Sequence, residues 1–272
     1  MKIYNSISEF TNIKDNLTEL TFIPTMGNLH QGHISLIDLA KQYENEIISS
    51  IFINRLQFND KNDYEKYPKS LESDIELLEK NGCDYLLIPD ESILDDIKLI
   101  KAPSKSKKLC GKNRPGHFDG VLTILNRFFK LINPKISIFG KKDYQQFLLV
   151  KEFVIKNYSN IKIIGGDTIR EDSGLALSSR NNLLSAKEKN IASSIYKVLC
   201  DIKSSKNLLN KELLDNKKKY LTKLGFEVDY LTICDASTLE DSFSIDTNDL
   251  LVAVAAKLGE VRLIDNVLLT KL

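Results

Sequence analysis

Short β-branched apolar runs alternate with longer amphipathic stretches over the first two-thirds of the chain, and this alternation constrains the fold most. The run Glu46–Asn54, EIISSIFIN, is rich in β-branched and apolar residues, which is typical of a buried strand. Strands that alternate with helices predict a parallel sheet covered on both faces. The predicted strands are Leu20–Pro24, Glu46–Asn54, Tyr85–Pro89, Ile136–Phe139 and Ile161–Gly165, and the predicted helices are Ile34–Tyr43, Leu71–Asn81, Gly120–Ile132 and Asp143–Lys156.

The pattern changes after about Arg180, where helices are grouped before strands. Two lysine-rich helical stretches come first, at Ser185–Leu199 and Lys211–Leu224. Apolar strand-like runs follow at Glu227–Cys234, Leu250–Leu258 and Glu260–Ile264. Grouped elements of this kind predict a smaller α+β domain. We therefore expect a Rossmann-like α/β domain with an open parallel sheet over residues 1–172, and a smaller α+β domain over residues 173–272.

Composition argues against several classes of protein. The net charge of +1, the lack of tryptophan and the absence of an RNA-binding signature speak against a nucleic-acid-binding module. No run of 18 apolar residues exists, so we expect no membrane span. The N-terminus lacks the apolar core of a signal peptide. The four cysteines are far apart, which fits reduced thiols and a cytoplasmic location.

Two of the three histidines, His30 and His33, lie in the segment Pro24–His33, PTMGNLHQGH, between the first predicted strand and its helix. In an open parallel sheet, ligands bind at the carboxyl ends of strands, and the start of the next helix attracts anions. Gly32 has no side chain, so a nucleotide could approach its backbone closely. The two imidazoles could donate hydrogen bonds to phosphate oxygens. The alternative is a pair of surface or helix-capping histidines.

Amide side chains at two further strand ends are candidates for binding a small acid. Gln57 lies in Asn54–Phe58, NRLQF, and Gln146 follows the strand Ile136–Phe139. An amide both donates and accepts, so it can bind hydroxyls and a carboxylate. The alternative for each glutamine is a solvated surface position.

The segment Lys98–Arg114 contains seven lysines and arginines and no acidic residue. Most of these side chains are typical of a mobile, solvated loop. The end of the segment, Arg114–Phe118, RPGHF, is more distinctive, because His117 precedes a predicted helix and could join Arg114 near a substrate.

Two other segments carry groups suited to a nucleotide. In Phe139–Gln146, FGKKDYQQ, Asp143 could accept hydrogen bonds from ribose hydroxyls and Lys142 could reach phosphates. In Ser178–Arg180, two hydroxyls and a guanidinium offer many donors to a triphosphate. The alternatives are a plain helix cap at Asp143 and a capping turn at the serines.

Together these segments resemble the pantothenate synthetase family. PTMGNLHQGHISLI is similar to its adenylate-binding HxGH block, and the later blocks follow in the family's order: SIFINRLQF, RPGHFDGVLT, FGKKDYQQ, REDSGLALSSRN and RLIDN. HxGH alone is shared by many nucleotidyltransferases, whereas several blocks in register are specific. Gln31, Arg55, Lys141 and Leu177 depart from the family's usual residues, and Arg55 stands where proline is usual.

The resemblance implies an ATP-dependent ligase that adenylates pantoate, joins it to β-alanine, and releases AMP and pyrophosphate. It implies small-molecule substrates, Mg²⁺ carried by ATP without a dedicated metal site, and a homodimer. His30, His33, Lys142 and Arg180 would be catalytic. The implied ATP-binding residues are Pro24, Thr25, Met26, Gly27, His30, Gly32, His33, Gly140, Lys142, Asp143, Leu177, Ser178, Ser179 and Arg180. The implied pantoate-binding residues are Met26, Asn54, Gln57, Phe58, Arg114, His117 and Gln146.

The alternative enzyme is a different HxGH nucleotidyltransferase, which would transfer AMP to a phosphorylated acceptor and keep it on the product. The paired glutamines and the RPGHF segment argue against that alternative.

Overall fold

A computed structural model describes residues 1–17, 19–245 and 248–270. The chain forms two compact units. The first consists of Met1–Lys107, Gly111–Lys141 and Gln145–Asp167, and the second of Lys108–Cys110, Lys142–Tyr144 and the chain from Thr168 onward. The main division along the chain thus comes a few residues before the boundary expected at residue 172, and two short segments of the expected first domain group with the second unit.

The first unit contains a six-stranded sheet in which every strand pair is parallel, as the alternating pattern predicts. Its spatial order is β1-β4-β3-β2-β5-β6. The strands are β1 (Lys2–Tyr4), β2 (Leu20–Thr25), β3 (Glu46–Ile51), β4 (Tyr85–Leu87), β5 (Ile136–Gly140) and β6 (Lys162–Gly166). The helices from the first residue to β6 are α1 (Ile7–Thr11), α2 (Gln31–Ala40), α3 (Lys61–Glu65), α4 (Leu71–Lys80), α5 (Leu109–Asn113), α6 (His117–Ile132) and α7 (Tyr144–Asn157).

Helices cover both faces of this sheet. Successive strand residues point to opposite sides, so neighbouring residues of one strand pack against different helices. Phe22 on β2 packs into a cluster with residues of α6 and α7, such as Phe129 and Val150. Its neighbour Ile23 packs into a second cluster with residues of α2 and α4, such as Ile37 and Leu78. The near-continuous apolar runs of the strands reflect this burial on two faces.

The strand order changes direction between β2 and β5. From β2 the chain moves outward through β3 and β4, and it then returns to β5 on the other side of β2 and continues to β6. Open α/β sheets bind ligands at such a switch point, outside the carboxyl ends of the strands. The residues that follow β2, β3 and β5 are therefore candidates for a ligand-binding site.

The second unit has the predicted order of helices followed by strands. Its helices are α8 (Ala186–Ala192), α9 (Ser194–Ser204) and α10 (Lys211–Lys223), and its antiparallel sheet has the order β7 (Phe226–Asp235), β8 (Leu250–Leu258) and β9 (Val261–Leu269). The single helix predicted over 185–199 is wrong, because Ser193 separates two helices and its hydroxyl donates to the Asn190 carbonyl at 2.7 Å.

Two element boundaries near the candidate site differ from the sequence prediction. Strand β3 ends at Ile51, and Asn54 instead caps a 3₁₀ turn over Arg55–Gln57. Helix α6 begins at His117 rather than Gly120, so His117 lies within the helix and does not precede it. Within the part of the chain that the structure describes, no helix is both long and apolar enough to cross a lipid bilayer.

Candidate active site

The two histidines after β2 cap helix α2 through their Nδ1 atoms. The Gly32 amide donates to His30 Nδ1 at 3.1 Å, and the His30 amide donates to His33 Nδ1 at 3.2 Å. The rings lie side by side, with centroids 4.2 Å apart. A nitrogen that accepts a hydrogen bond carries no proton, so in each neutral ring the proton is on Nε2. Capping thus occurs, and it fixes both rings in the tautomer that makes Nε2 a donor.

A buried carboxylate holds the loop that leads to these histidines. Asp74 on α4 is 2% exposed and accepts hydrogen bonds from the amides of Asn28 and Leu29, each at 2.8 Å. It also accepts from the Ser70 hydroxyl at 3.1 Å. Sequence reasoning missed this residue. The available signal was its position beside the apolar stripe of α4, four residues before the buried Leu78, where an acidic side chain is unusual.

Gly27 has a backbone that only glycine adopts at low cost. Its φ is +79°, and a Cβ there would lie 3.0 Å from Asp74 Oδ2 and 3.2 Å from Ile51 Cγ2. A side chain would therefore be strained and would also displace the carboxylate that holds the loop. The remaining predicted residues of this loop, from Pro24 to Met26, lie at and just after the end of β2.

The turn after β3 presents Gln57 through a network centred on Asn54. Asn54 is 1% exposed, and its Nδ2 donates to Gln57 Oε1 and to the Gly120 carbonyl, both at 3.1 Å. Gln57 Nε2 donates to Met26 Sδ at 3.1 Å, which joins this turn to the loop after β2. A Cβ on Gly120 would lie 2.2 Å from the Leu56 carbonyl oxygen, so this glycine permits the close approach of α6.

The predicted pair Arg114 and His117 meets on the backbone of the same turn. His117 is 7% exposed, and its Nδ1 donates to the Gln57 carbonyl at 2.7 Å. Arg114 donates to that carbonyl at 3.3 Å and approaches His117 Nε2 at 3.2 Å. Since the carbonyl can only accept, His117 carries its proton on Nδ1 and receives the guanidinium at Nε2. Both side chains therefore support the turn that presents Gln57.

The other predicted residues of the first unit lie at the same edge of the sheet. Phe58 ends the turn and packs edge-on against Tyr64 and Tyr67, with centroids 5.4 and 5.7 Å away. Gly140 ends β5, and Gln146 lies half-buried in the first turn of α7. Because β3, β2 and β5 are neighbouring parallel strands, their carboxyl ends share one edge.

The second unit contains the remaining predicted residues. Lys142 and Asp143 belong to the segment Lys142–Tyr144, in which Asp143 is exposed and the Lys142 carbonyl accepts a hydrogen bond from Asn266 Nδ2 at 2.9 Å. Leu177 precedes Ser178, which caps a 3₁₀ helix over Ser179–Leu183 by accepting from the Arg180 amide at 3.3 Å. The capping turn that was the alternative for these serines is therefore present, and Ser179 and Arg180 are half-buried beside it.

Much of the basic segment Lys98–Arg114 is paired with acidic side chains. Lys101 pairs with Asp119 at 3.0 Å, Lys105 pairs with Glu152 at 2.8 Å, and Lys108 pairs with Glu240. These three ion pairs neutralise part of the positive charge of the segment.

Comparison with known proteins gives a consistent result. Residues 2–268 match the family described as pantoate-beta-alanine ligase. The pantothenate synthetases of Marinomonas sp. strain MWYL1 and Neisseria meningitidis serogroup B are each 40% identical, with 98% of both chains covered. The crystal structure of pantothenate synthetase from Thermus thermophilus matches with a TM-score of 0.90 and 33% identity, over 99% of this chain and 100% of that one. A Francisella tularensis pantoate-beta-alanine ligase, complexed with beta-gamma ATP and beta-alanine, matches with a TM-score of 0.82 and 36% identity, over 98% and 97%.

Proposed function

The chain belongs to the pantoate–β-alanine ligase family, and from that premise we propose that it joins pantoate to β-alanine in two steps through a pantoyl adenylate. In the first step, a carboxylate oxygen of pantoate attacks the α-phosphorus of ATP. The bond between the α-phosphorus and its bridging oxygen breaks, and pyrophosphate leaves. Pantoate is already ionised at neutral pH, since carboxylic acids titrate near pH 4, so this step needs no general base.

The observation that carries the proposal is the shared tautomer of His30 and His33. Both rings use Nδ1 to accept a backbone amide, so in each neutral ring Nε2 carries the proton and is the nitrogen that can donate to phosphate oxygens. Donors fixed before the reaction stabilise charge that develops in the transition state without reorganisation at that moment. Lys142, Ser178, Ser179 and Arg180 add further donors for the triphosphate, and Gly140, Leu177 and Asp143 complete the nucleotide site.

Pantoate binds in this proposal at the turn after β3. Gln57 and Gln146 bind its hydroxyls and carboxylate, and Met26 and Phe58 contact its methyl groups. Three other predicted residues act on pantoate mainly through Gln57. Asn54 holds the Gln57 side chain, and Arg114 and His117 hold the Gln57 carbonyl. The buried network would keep the Gln57 amide in one orientation, which favours discrimination between acids.

In the second step, the unprotonated amine of β-alanine attacks the acyl carbon of the adenylate, the acyl–phosphate bond breaks and AMP leaves. The amine loses its proton, and an amide bond forms. Water must be excluded, because the mixed anhydride hydrolyses.

ATP enters as its magnesium complex. Among the described residues, no group of three or more histidine, cysteine or acidic side chains could hold a metal ion. Phosphate oxygens and water would supply most of the magnesium ligands, as is usual for magnesium bound with nucleotides. The homodimer, which the family resemblance implies, and the cytoplasmic location, which the spacing of the cysteines indicates, stay predictions.

Exchange of labelled pyrophosphate into ATP tests the two-step mechanism. We expect exchange with pantoate present and β-alanine absent, and we expect release of AMP when β-alanine is added. Omission of pantoate is the control and should abolish exchange. Products that contain ADP and phosphate, or a lack of pantoate-dependent exchange, would refute the adenylate mechanism. Transfer of AMP to a phosphorylated acceptor without its release would favour the alternative nucleotidyltransferase.

A further inference from the structure

The block Arg262–Asn266, RLIDN, is a family-like segment in the second unit. It lies on strand β9, where successive side chains point to opposite sides of the sheet. Asp265 is on the buried side and is 4% exposed, whereas Asn266 is half-buried on the other side. Each of these two neighbours holds a different segment of the second unit.

Asp265 forms a bidentate ion pair with Arg170. Arg170 Nη1 donates to Asp265 Oδ2 at 2.6 Å, and Nη2 donates to Oδ1 at 2.9 Å. The guanidinium also lies 3.7 Å from the centre of the Tyr196 ring. Burial raises the pKa of Asp265, and the ion pair with Arg170 opposes that shift. A carboxylate is costly to bury, so this geometry indicates that the position of Arg170 is closely fixed.

Arg170 begins a small hairpin that leads directly into Ser178–Arg180. Arg170 forms an antiparallel bridge with Ala176, and the Leu177 amide donates to the Ile169 carbonyl at 2.9 Å. Arg170 Nη1 also donates to the Gly174 carbonyl in the turn at 3.1 Å. The ion pair with Asp265 therefore anchors the strand that delivers the two serines and Arg180.

Asn266 holds the other segment. Its Nδ2 donates to the Lys142 carbonyl at 2.9 Å, and its own carbonyl accepts from Arg170 Nη2 at 3.4 Å. The Asn266 amide in turn donates to Asp265 Oδ1 at 2.8 Å. One residue thus contacts both the backbone of Lys142 and the arginine that anchors the hairpin.

We propose that Asp265 and Asn266 are positioning residues, which hold Lys142 and Ser178–Arg180 in one arrangement that fits the triphosphate. This inference rests on the proposed function, in which both segments bind the phosphates of ATP. As positioning residues, Asp265 and Asn266 do not themselves contact substrate. Their effect on the reaction arises because small misplacements of charged groups slow phosphoryl chemistry strongly.

The test substitutes Asn266→Ala and measures pantoate-dependent pyrophosphate exchange together with the thermal midpoint. We expect the maximal exchange rate to fall roughly 10- to 100-fold, the range set by misplaced reacting groups. The KM for pantoate should stay unchanged, because the pantoate-binding turn lies in the first unit. Thr232→Val is the matched control, since it removes a hydrogen bond of a β7 side chain to Asp241 in the same unit. It should lower the thermal midpoint by a similar amount and leave exchange intact.

Normal exchange in folded Asn266→Ala enzyme would overturn the inference. Equal losses of the exchange rate in Asn266→Ala and Thr232→Val would also overturn it. If Asn266→Ala does not fold, Asn266→Asp decides in the same way, because it keeps the shape and removes the amide donor. The unchanged enzyme separates the two proposals. Its failure to exchange at all would refute the proposed function, whereas normal exchange in Asn266→Ala beside an active parent enzyme would refute only the positioning role.

Discussion

Replacement of Asp74 by alanine should destabilise the loop that carries the two histidines. The Asp74 carboxylate accepts the amides of Asn28 and Leu29 at 2.8 Å and the Ser70 hydroxyl at 3.1 Å. Alanine removes all three acceptor contacts and leaves two backbone donors without their partner. Asn28 also has a positive φ of 51°, so this stretch of backbone depends on external contacts for its conformation.

The magnitude follows from the kind of bond that is lost. A hydrogen bond to a charged group stabilises the folded state by about 1.5–3 kcal/mol, and such terms are not fully additive. Water can partly replace Asp74, because Asn28 and Leu29 are half-buried. We therefore expect a loss of about 3 kcal/mol in the free energy of unfolding, which lowers the melting temperature of a unit of this size by roughly 6–12 °C. Asp74→Asn keeps one acceptor oxygen and should fall between alanine and the native residue.

Urea unfolding and pyrophosphate exchange measure the two effects on the same protein. The maximal exchange rate should fall about 10- to 100-fold, because the loop determines where His30 and His33 lie. Asp84→Ala is the control. Asp84 accepts the Ile47 amide at 2.7 Å near the start of β3, away from the carboxyl ends of the strands. This variant should lose stability while its exchange rate stays normal. If Asp74→Ala is no less stable than Asp84→Ala and exchanges at the native rate, the loop does not depend on Asp74 and the reasoning is refuted.

Three further outcomes follow from the structure. His33→Ala should retain the fold and lose roughly 10²–10³-fold in adenylation rate, as is typical when one transition-state donor is removed; near-normal turnover would exclude it from the mechanism. Gln57→Ala should raise the KM for pantoate far more than that for ATP, and equal effects in substrate kinetics would mean that Gln57 only supports the fold. The hydroxyl and amide of Ser237 and the amide of Thr238 lower the pKa of Asp235 to about 2. A carboxyl group with a lowered pKa stabilises the folded state at pH values above its unfolded pKa, which is near 4, and this stabilisation is lost as the pH falls toward 2. The difference in free energy of unfolding between the native protein and Asp235→Asn should therefore close between about pH 4 and pH 2 in urea titrations. A constant gap would contradict this assignment.

The parallel sheet was predictable because burial on two faces leaves a direct trace in the sequence. The runs that form β2, β3 and β5 each place apolar residues at neighbouring positions, such as Phe22–Ile23 and Ile47–Ile48, and the helices between them show their own spacing. Strand β1, by contrast, has only three residues, which are too few for a periodic pattern of apolar residues to be recognised. Its pairing with β4 depends on contacts that form only when the sheet does.

The candidate site was predictable as a set of segments but not as a network. Histidines, glutamines and glycines after strand ends are visible in the sequence, since strand ends are where a parallel sheet binds ligands. The sequence does not reveal that His117 uses both ring nitrogens inside the protein, or that Asn54 binds Gly120 from 66 residues away. Such contacts are set by the three-dimensional approach of α6 to the turn after β3, for which no periodicity exists.

The departure at Arg55 shows how such a network can tolerate a changed residue. Proline, usual in the family at this position, stabilises a compatible turn by about 0.4–1 kcal/mol through the unfolded state. Arg55 is exposed and pairs with Glu91 at 3.4 Å, and exposed pairs of this kind contribute about 0–1 kcal/mol. The two effects are of similar size, and neither is large. The turn is held mainly by Asn54, whose side chain makes three hydrogen bonds, and by the close contact at Gly120. The orientation of Gln57 therefore depends on these buried contacts, and residue 55 is free to vary.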